Sequence, residues 1–282
     1  MSQAARALGV SKAVVSKYIA ALEEELHARL LHRTTRTVRP TATGRAVYTR
    51  ARALLEQMQE LEAAAKAEKG EPAGTLRVSA PVAFGLLHLA DPLAAFAHAH
   101  PAVRLELSLT DRFVRLADEG FDVAIRIAAR LEDEDVVAVR LARSRMIACA
   151  SPDYLARAGR PRAPEDLAEH ACIAFAAPGT SGRVPWRFGD ESDVGRTVWI
   201  EPAVRVDSSL LQRHLACSGL GIAFLLTFVA ERELHAGMLV ALFDGIVTEE
   251  RTIYAIYPSP QHASAKVRAF VRSLQTAGPA QC

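Results

Sequence analysis

Residues 4–26, AARALGVSKAVVSKYIAALEEEL, decide the reading of the chain, because they spell a helix, a tight turn and a second helix. Ala4, Ala5 and Leu8 form the inner side of a short first helix, Gly9 breaks it, and Ser11 stands where a hydroxyl caps the next one. In that second helix Val15, Ile19, Leu22 and Leu26 recur at steps of four, three and four, which makes one apolar stripe. The opposite face carries Lys12, Ala13, Ser16, Lys17 and Ala20. It is small, polar and basic, so such a helix lies close to a DNA duplex with no bulk in the way.

Just beyond, Arg33-Thr34-Thr35-Arg36 and Val38-Arg39-Pro40 alternate β-branched residues with arginines, which predicts a short two-stranded wing with its basic side chains exposed. Thr41 is placed to cap a long helix reaching about Lys69. Along it Val47, Ala51, Leu54, Met58, Leu61 and Ala65 alternate steps of four and three, the heptad spacing of a coiled-coil seam. A seam of that kind needs a partner, so a dimer is expected; burial against the chain's own second domain is the other reading. The 34 basic and 32 acidic residues give +2 overall, yet residues 1–52 hold ten Lys/Arg against three Glu, a net +7 that leaves −5 for the rest. A basic head on an acidic body is the arrangement of a chain in which one module meets a polyanion.

Gly70, Pro72 and Gly74 mark a boundary, and the 282-residue length suits a small domain followed by a large one. After the boundary, strand-like runs at 75–80, 103–109 and 123–127 alternate with helical ones at 84–99 and 113–119. The rhythm resumes with strands at 146–150, 204–207 and 222–226, helices near 164–168 and 210–218, a late strand at 251–257 and a last helix at 264–275. This alternation predicts βαβ units and a largely parallel sheet. Cys149, Cys172, Cys217 and Cys282 show no zinc or redox spacing and fit a reduced cytoplasm. The opening residues lack the pattern of a leader, and the longest uncharged apolar stretch, Gly219 to Ala230, is short of a membrane span, so a cytoplasmic location is expected. No Gly-x-Ser-x-Gly or similar catalytic set occurs. His98 and His100 lack a third ligand at matching spacing and read as surface residues. Gly219-Leu-Gly221 lacks the third glycine of a dinucleotide loop and precedes a strand, which favours a packing or turn role. Neither enzyme activity, nor a metal, nor a cofactor is expected.

The run from Ala4 to Lys17, followed by Leu22-Glu-Glu-Glu-Leu26, His32-Arg-Thr-Thr-Arg36 and Pro40-Thr-Ala-Thr-Gly44, closely resembles the LysR-type regulators. The likeness continues through Leu76-Arg-Val-Ser-Ala-Pro81, Glu119-Gly-Phe-Asp-Val-Ala-Ile-Arg-Ile127, Gly219-Leu-Gly-Ile-Ala223 and Lys266-Val-Arg-Ala-Phe270. The resemblance implies an N-terminal all-α winged helix-turn-helix over residues 1–40, a linker and dimerisation helix over 41–70, and a two-lobed, periplasmic-binding-protein-like α/β effector domain over 75–282. One lobe would comprise about 75–145 plus 250–282, and the other about 146–249. It implies that Ser11, Lys12, Ala13, Ser16 and Lys17 approach the major groove, while Arg33, Thr34, Thr35, Arg36 and Thr41 contact phosphate or the minor groove. Val47, Ala51, Leu54, Met58 and Leu61 would hold a homodimer or homotetramer together.

Family members carry one more helix before this motif, so the chain is expected to begin inside the second, through a late-assigned start or a true truncation. In the effector domain, Ser79, Pro81 and Val82 would line one wall of the crevice, Ile127 and Ala128 the hinge side, and Asp207, Ser208 and Phe224 the other wall, with helix N-termini favouring an anion. Arg126 would face this cleft or pair with Asp122 or Asp207. Ala128 and Leu226 stand where the family often has Gly and Pro. The function implied is a sequence-specific transcriptional regulator of double-stranded DNA under the control of a small-molecule effector, and the crevice rim would suit a small carboxylate or aromatic acid. The alternative is a small-molecule-binding module whose DNA binding is impaired by an incomplete head.

Overall fold

The computed structural model describes residues 9–33, 38–66, 71–131, 136–176, 181–189, 196–246, 248–258 and 263–277. They fall into two compact units, residues 1–69 with 117–120 and residues 70–116 with 121–282. The first helix expected on Ala4, Ala5 and Leu8 lies outside the described residues.

In the head, helix α1 spans Lys12–Glu25, and its first turn closes as the expected cap: the Ser11 hydroxyl accepts from the Val14 amide at 3.3 Å. From its last turn Glu23 reaches forward, and its carboxylate accepts from the amides of Leu30 at 2.8 Å and Leu31 at 3.0 Å. That contact fixes the start of β1 (Leu31–Arg33), which pairs antiparallel with β2 (Val38–Pro40) in the register Leu31 with Pro40 and Arg33 with Val38. Helix α2, Ala42–Lys66, begins under the Thr41 hydroxyl, which accepts from the Gly44 amide at 2.8 Å. Gly44 is required by closeness, since a Cβ there would sit 2.0 Å from the Leu30 carbonyl oxygen.

Beyond residue 70 the chain runs β3 (Gly74–Ala80), α3 (Val82–His88), α4 (Ala90–Ala99), β4 (Val103–Leu109), α5 (Leu116–Glu119), β5 (Val123–Ala128), β6 (Val136–Ala150), α6 (Pro152–Ala158) and β7 (Cys172–Phe175). It continues with β8 (Val184–Phe188), β9 (Arg196–Ile200), β10 (Val204–Val206), α7 (Ser209–Cys217), β11 (Ile222–Leu226), α8 (Thr227–His235), β12 (Val240–Ala241), β13 (Glu250–Pro258) and α9 (Ala265–Ala277). Strand order is β10-β7-β11-β6-β13-β5-β3-β4, with β12 also on β6 and β8–β9 a separate hairpin. The β3–β4, β3–β5, β7–β10 and β7–β11 pairs are parallel, as the alternation predicts. The centre differs: β6 and β13 run antiparallel to their neighbours, so the sheet is mixed.

Strand β6 also explains why there are two lobes. Its residues Val136–Arg145 pair with β13, and its residues Met146–Ala150 pair with β11 and β12. The chain passes from lobe to lobe between Arg145 and Met146 and returns between Glu249 and Glu250, where the Met146 amide donates to the Glu249 carbonyl at 3.0 Å.

The single helix expected over 84–99 is two helices bent by 66° at Leu89. Pro92 is the cause, because its ring would collide with the His88 carbonyl in a continuous helix. Gly221 has the packing role foreseen for it: a Cβ would lie 2.4 Å from the Ala171 carbonyl oxygen. No single helix among the described residues is long and apolar enough to cross a membrane.

The C-terminal helix is anchored by a buried cation. Lys266, 3% exposed, donates to the Thr75 carbonyl at 2.6 Å and lies 3.7 Å from Asp122, whose other oxygen accepts from the Arg77 amide at 2.7 Å. Removing one member of a buried pair strands the other, so Lys266→Ala is expected to cost about 3 kcal/mol, read as a lowered midpoint in denaturant melts.

Candidate functional site

Two surfaces qualify, one on each unit. On α1 Ser11, Ala13 and Lys17 are exposed and Ser16 is half-buried, while Val15 on the far side is buried. Lys12 opens the helix and Arg33 ends β1; Thr34, Thr35 and Arg36 lie outside the described residues. Thr41 departs from the expectation of a phosphate contact, because its hydroxyl hydrogen is directed at the Arg29 carbonyl at 2.8 Å and its oxygen caps α2. Glu23, given no separate role in the sequence, ties α1 to β1. The apolar stripe is unevenly covered: Ile19 is half-buried, whereas Leu22 and Leu26 are 40% and 44% exposed. Along α2, Val47 is half-buried and Ala51, Leu54 and Met58 are exposed, Leu54 by 65%, with Tyr48 and Leu55 adding to the apolar surface. The Leu61 side chain lies outside the described residues.

The second surface is a cavity of about 810 Å³ between the two lobes. It opens at the C-terminal ends of β3, β4, β5, β7 and β11, where a parallel sheet leaves room for a ligand. Six of the nine expected crevice residues line it: Ser79, Pro81, Arg126, Ile127, Ala128 and Phe224. Val82, Asp207 and Ser208 do not, and each has a local reason. The Val82 amide is taken by the Asp111 carboxylate at 3.1 Å, Ser208 caps α7 by accepting from Leu211 at 3.3 Å, and Asp207 directly precedes that cap. Arg126 faces the cavity, its guanidinium 3.9 Å from the centre of the Phe113 ring and hydrogen-bonded to the Val114 carbonyl. Asp122, which with Asp207 was considered as its partner, accepts from the Arg77 amide and lies 3.7 Å from Lys266.

Helix N-termini were expected to favour an anion here, but the chain fills them itself. Asp111 occupies the start of α3 and Ser208 that of α7. Ser144, bonded to Thr227 at 2.8 Å, lies 3.5 Å from the Phe228 amide at the start of α8. Burial pushes the Asp111 carboxyl above its ordinary range, with the Val82 amide opposing and the charge of Asp207 adding to the rise. The sequence reading missed the aromatic lining. Phe113, 65% exposed, comes from the first lobe, and Phe175, 43% exposed, from the second, with Trp186 stacked on Phe224 at 5.2 Å behind them. The alternation Val184-Pro-Trp-Arg-Phe188 carried a strand signal that would have placed Trp186 and Phe188 inward. Burial pushes the thiols of Cys149 and Cys172 up to about 12, which keeps them un-ionised. Among the described residues no group of three or more His, Cys, Asp or Glu is placed to hold a metal ion.

The chain is similar to known proteins in both sequence and fold. The pattern of the LysR substrate binding domain matches residues 69–279, and that of bacterial regulatory helix-turn-helix proteins of the lysR family matches residues 1–45. The HTH-type transcriptional regulator CrgA of Neisseria meningitidis serogroup C is 33% identical, over 96% of this chain and 89% of its own. An uncharacterised HTH-type regulator of Escherichia coli K12, YhjC, is 33% identical over 97% and 91%. The solved structure of CrgA superposes with a TM-score of 0.65 at 31% identity, covering 98% of this chain and 93% of that one. Full-length AphB of Vibrio cholerae, a virulence activator 24% identical, shares the fold with a TM-score of 0.64 over 96% and 91%.

Glu23 offers a direct test of the head. Glu23→Ala leaves two part-buried amides without their acceptor and is expected to destabilise the head by about 2 kcal/mol. Amide exchange at Leu30 and Leu31 would accelerate while that of the second unit stayed unchanged.

Proposed function

The chain belongs to the LysR family of bacterial helix-turn-helix transcriptional regulators, and on that premise we propose that it reads its operator through α1 and its effector through the cavity between the lobes. The observation that carries this reading is the joint presence of a small basic helix face on the head and an aromatic-walled cavity where two lobes meet. Members of this family are regulators rather than enzymes. Lys12, Ser16 and Lys17 donate to base edges, Ala13 packs on a thymine methyl, and the wing arginines hold phosphate. The exposed Leu54 and Met58 continue the seam through which two copies pair. The cytoplasm is the setting in which such a chain meets DNA.

The effector class follows from the lining. Phe113 and Phe175 line the cavity from opposite lobes, which suits a flat apolar body. Arg112, Arg126, Arg130 and Arg251 outnumber Asp111 and Glu249, which suits a carboxylate on it. Because the helix ends are already capped, guanidinium groups rather than backbone amides hold that charge. Binding would stabilise one closure of the lobes and shift the geometry of the paired heads.

Three measurements test the reading. In gel-shift titrations against the chain's own upstream DNA, Lys17→Ala is expected to weaken specific binding about tenfold. Arg36→Ala should weaken all sequences alike and lower the salt slope by about one; an unchanged slope removes Arg36 from the phosphate set. Leu54→Glu with Met58→Glu should give monomers in sedimentation. In thermal shift, benzoate should stabilise the chain more than benzamide, and a preference for the amide would overturn the anionic class.

A further inference from the structure

Behind the cavity the two lobes meet through three rings. Phe84 and His88 lie one turn apart on α3 of the first lobe, stacked with 5.5 Å between ring centres and 29° between planes. Phe228, from the first turn of α8 in the second lobe, stands edge-on to both, 5.9 Å from Phe84 and 5.2 Å from His88. Phe84 and Phe228 are buried, and Phe228 also lines the cavity. The cluster therefore joins lobe to lobe and floor to cavity.

His88 is its polar member. Its Nε2 is buried and has no hydrogen-bond partner. A buried ring nitrogen without an acceptor is best left unprotonated, which favours the neutral imidazole. A proton on Nε2 would add an unpaired donor and a charge at a site water does not reach. The surrounding charges do not offset this. Helix α8 carries Glu231, Arg232, Glu233 and His235, of which Glu231 favours the proton and Glu233 is paired with Arg213 at 3.3 Å. Helix α4, also packed on α3, carries Asp91 and His98. Burial outweighs the Glu231 charge and the Phe228 backbone and holds the imidazole below its ordinary value of 6.5.

We propose that His88 is a proton-sensitive latch between the two lobes: the neutral ring holds α3 against α8, and the protonated ring must leave the cluster, taking the cavity floor with it. The sign follows from linkage. A ring released into water binds its proton at the ordinary value, and the latched ring binds it lower, so acid favours release. Above about pH 6.5 both forms are neutral and pH has no effect. Below it the latched form is lost progressively, by about tenfold for each unit of depression once both values are passed. Phe228 makes ligand affinity in the cavity part of the same equilibrium.

The test uses the full chain, with His88→Phe keeping a ring that cannot titrate and His88→Gln assigning the imidazole resonance. In a carbon-13 titration His88 is expected to titrate below 6.5. Amide exchange at Phe228 and Val229, corrected for intrinsic pH dependence, should speed up below pH 6.5 in the parent chain and not in His88→Phe. A His88 value at or above 6.5, or the same acid acceleration in both chains, overturns the latch. Should His88→Phe fail to fold, the titration of the parent chain decides alone.

Discussion

One extended strand belongs to both lobes, and the second unit is organised by that constraint. Because Val136–Arg145 is fixed by β13 and Met146–Ala150 by β11 and β12, the lobes share a continuous backbone segment rather than a linker. The return crossing at Glu249 and Glu250 lies beside the outgoing one, so the chain joins the lobes through two adjacent strand segments. The cavity, the ring cluster behind it and the strand ends that line it all sit on the two sides of that junction. Their positions follow from the crossing and from the right-handed parallel units that flank it.

The parts legible in the sequence were those in which side-chain type and local backbone agree. The Ser11 cap, the strands at 74–80, 103–109 and 222–226 and the helix starting at Ser209 needed no information from elsewhere in the chain. Six crevice residues could be placed because strand ends in parallel sheets have one topological role. What escaped was set by distant partners. Glu23 looks like its two acidic neighbours until the Leu30 and Leu31 amides are brought to it. Asp111 looks like a loop residue until α3 presents an uncapped end. The mixed sheet escaped because Val136–Arg145 alternates apolar residues with arginines and polar groups, a half-exposed pattern that does not reveal which strand lies alongside.

In the head, the same economy of contacts appears at smaller scale. Leu30 is buried, its amide is held by Glu23, its carbonyl takes the Thr41 amide, and the missing side chain of Gly44 lets α2 pass beside it. Recognition helix, wing and long helix are thereby referred to one residue. The charged surface can then vary in composition while the angle between the helix and the hairpin stays fixed.

The self-capped helix ends around the cavity bear on how such a chain changes over generations. Asp111, Ser208 and Ser144 each answer a backbone amide at the helix starts around the crevice, so the positive charge of its lining is carried by side chains. Its rings and guanidinium groups include members from loops, from the β8–β9 hairpin and from the central strands β5 and β13. The loop and hairpin groups can therefore change one at a time without disturbing the helix starts, whose caps lie in the scaffold itself.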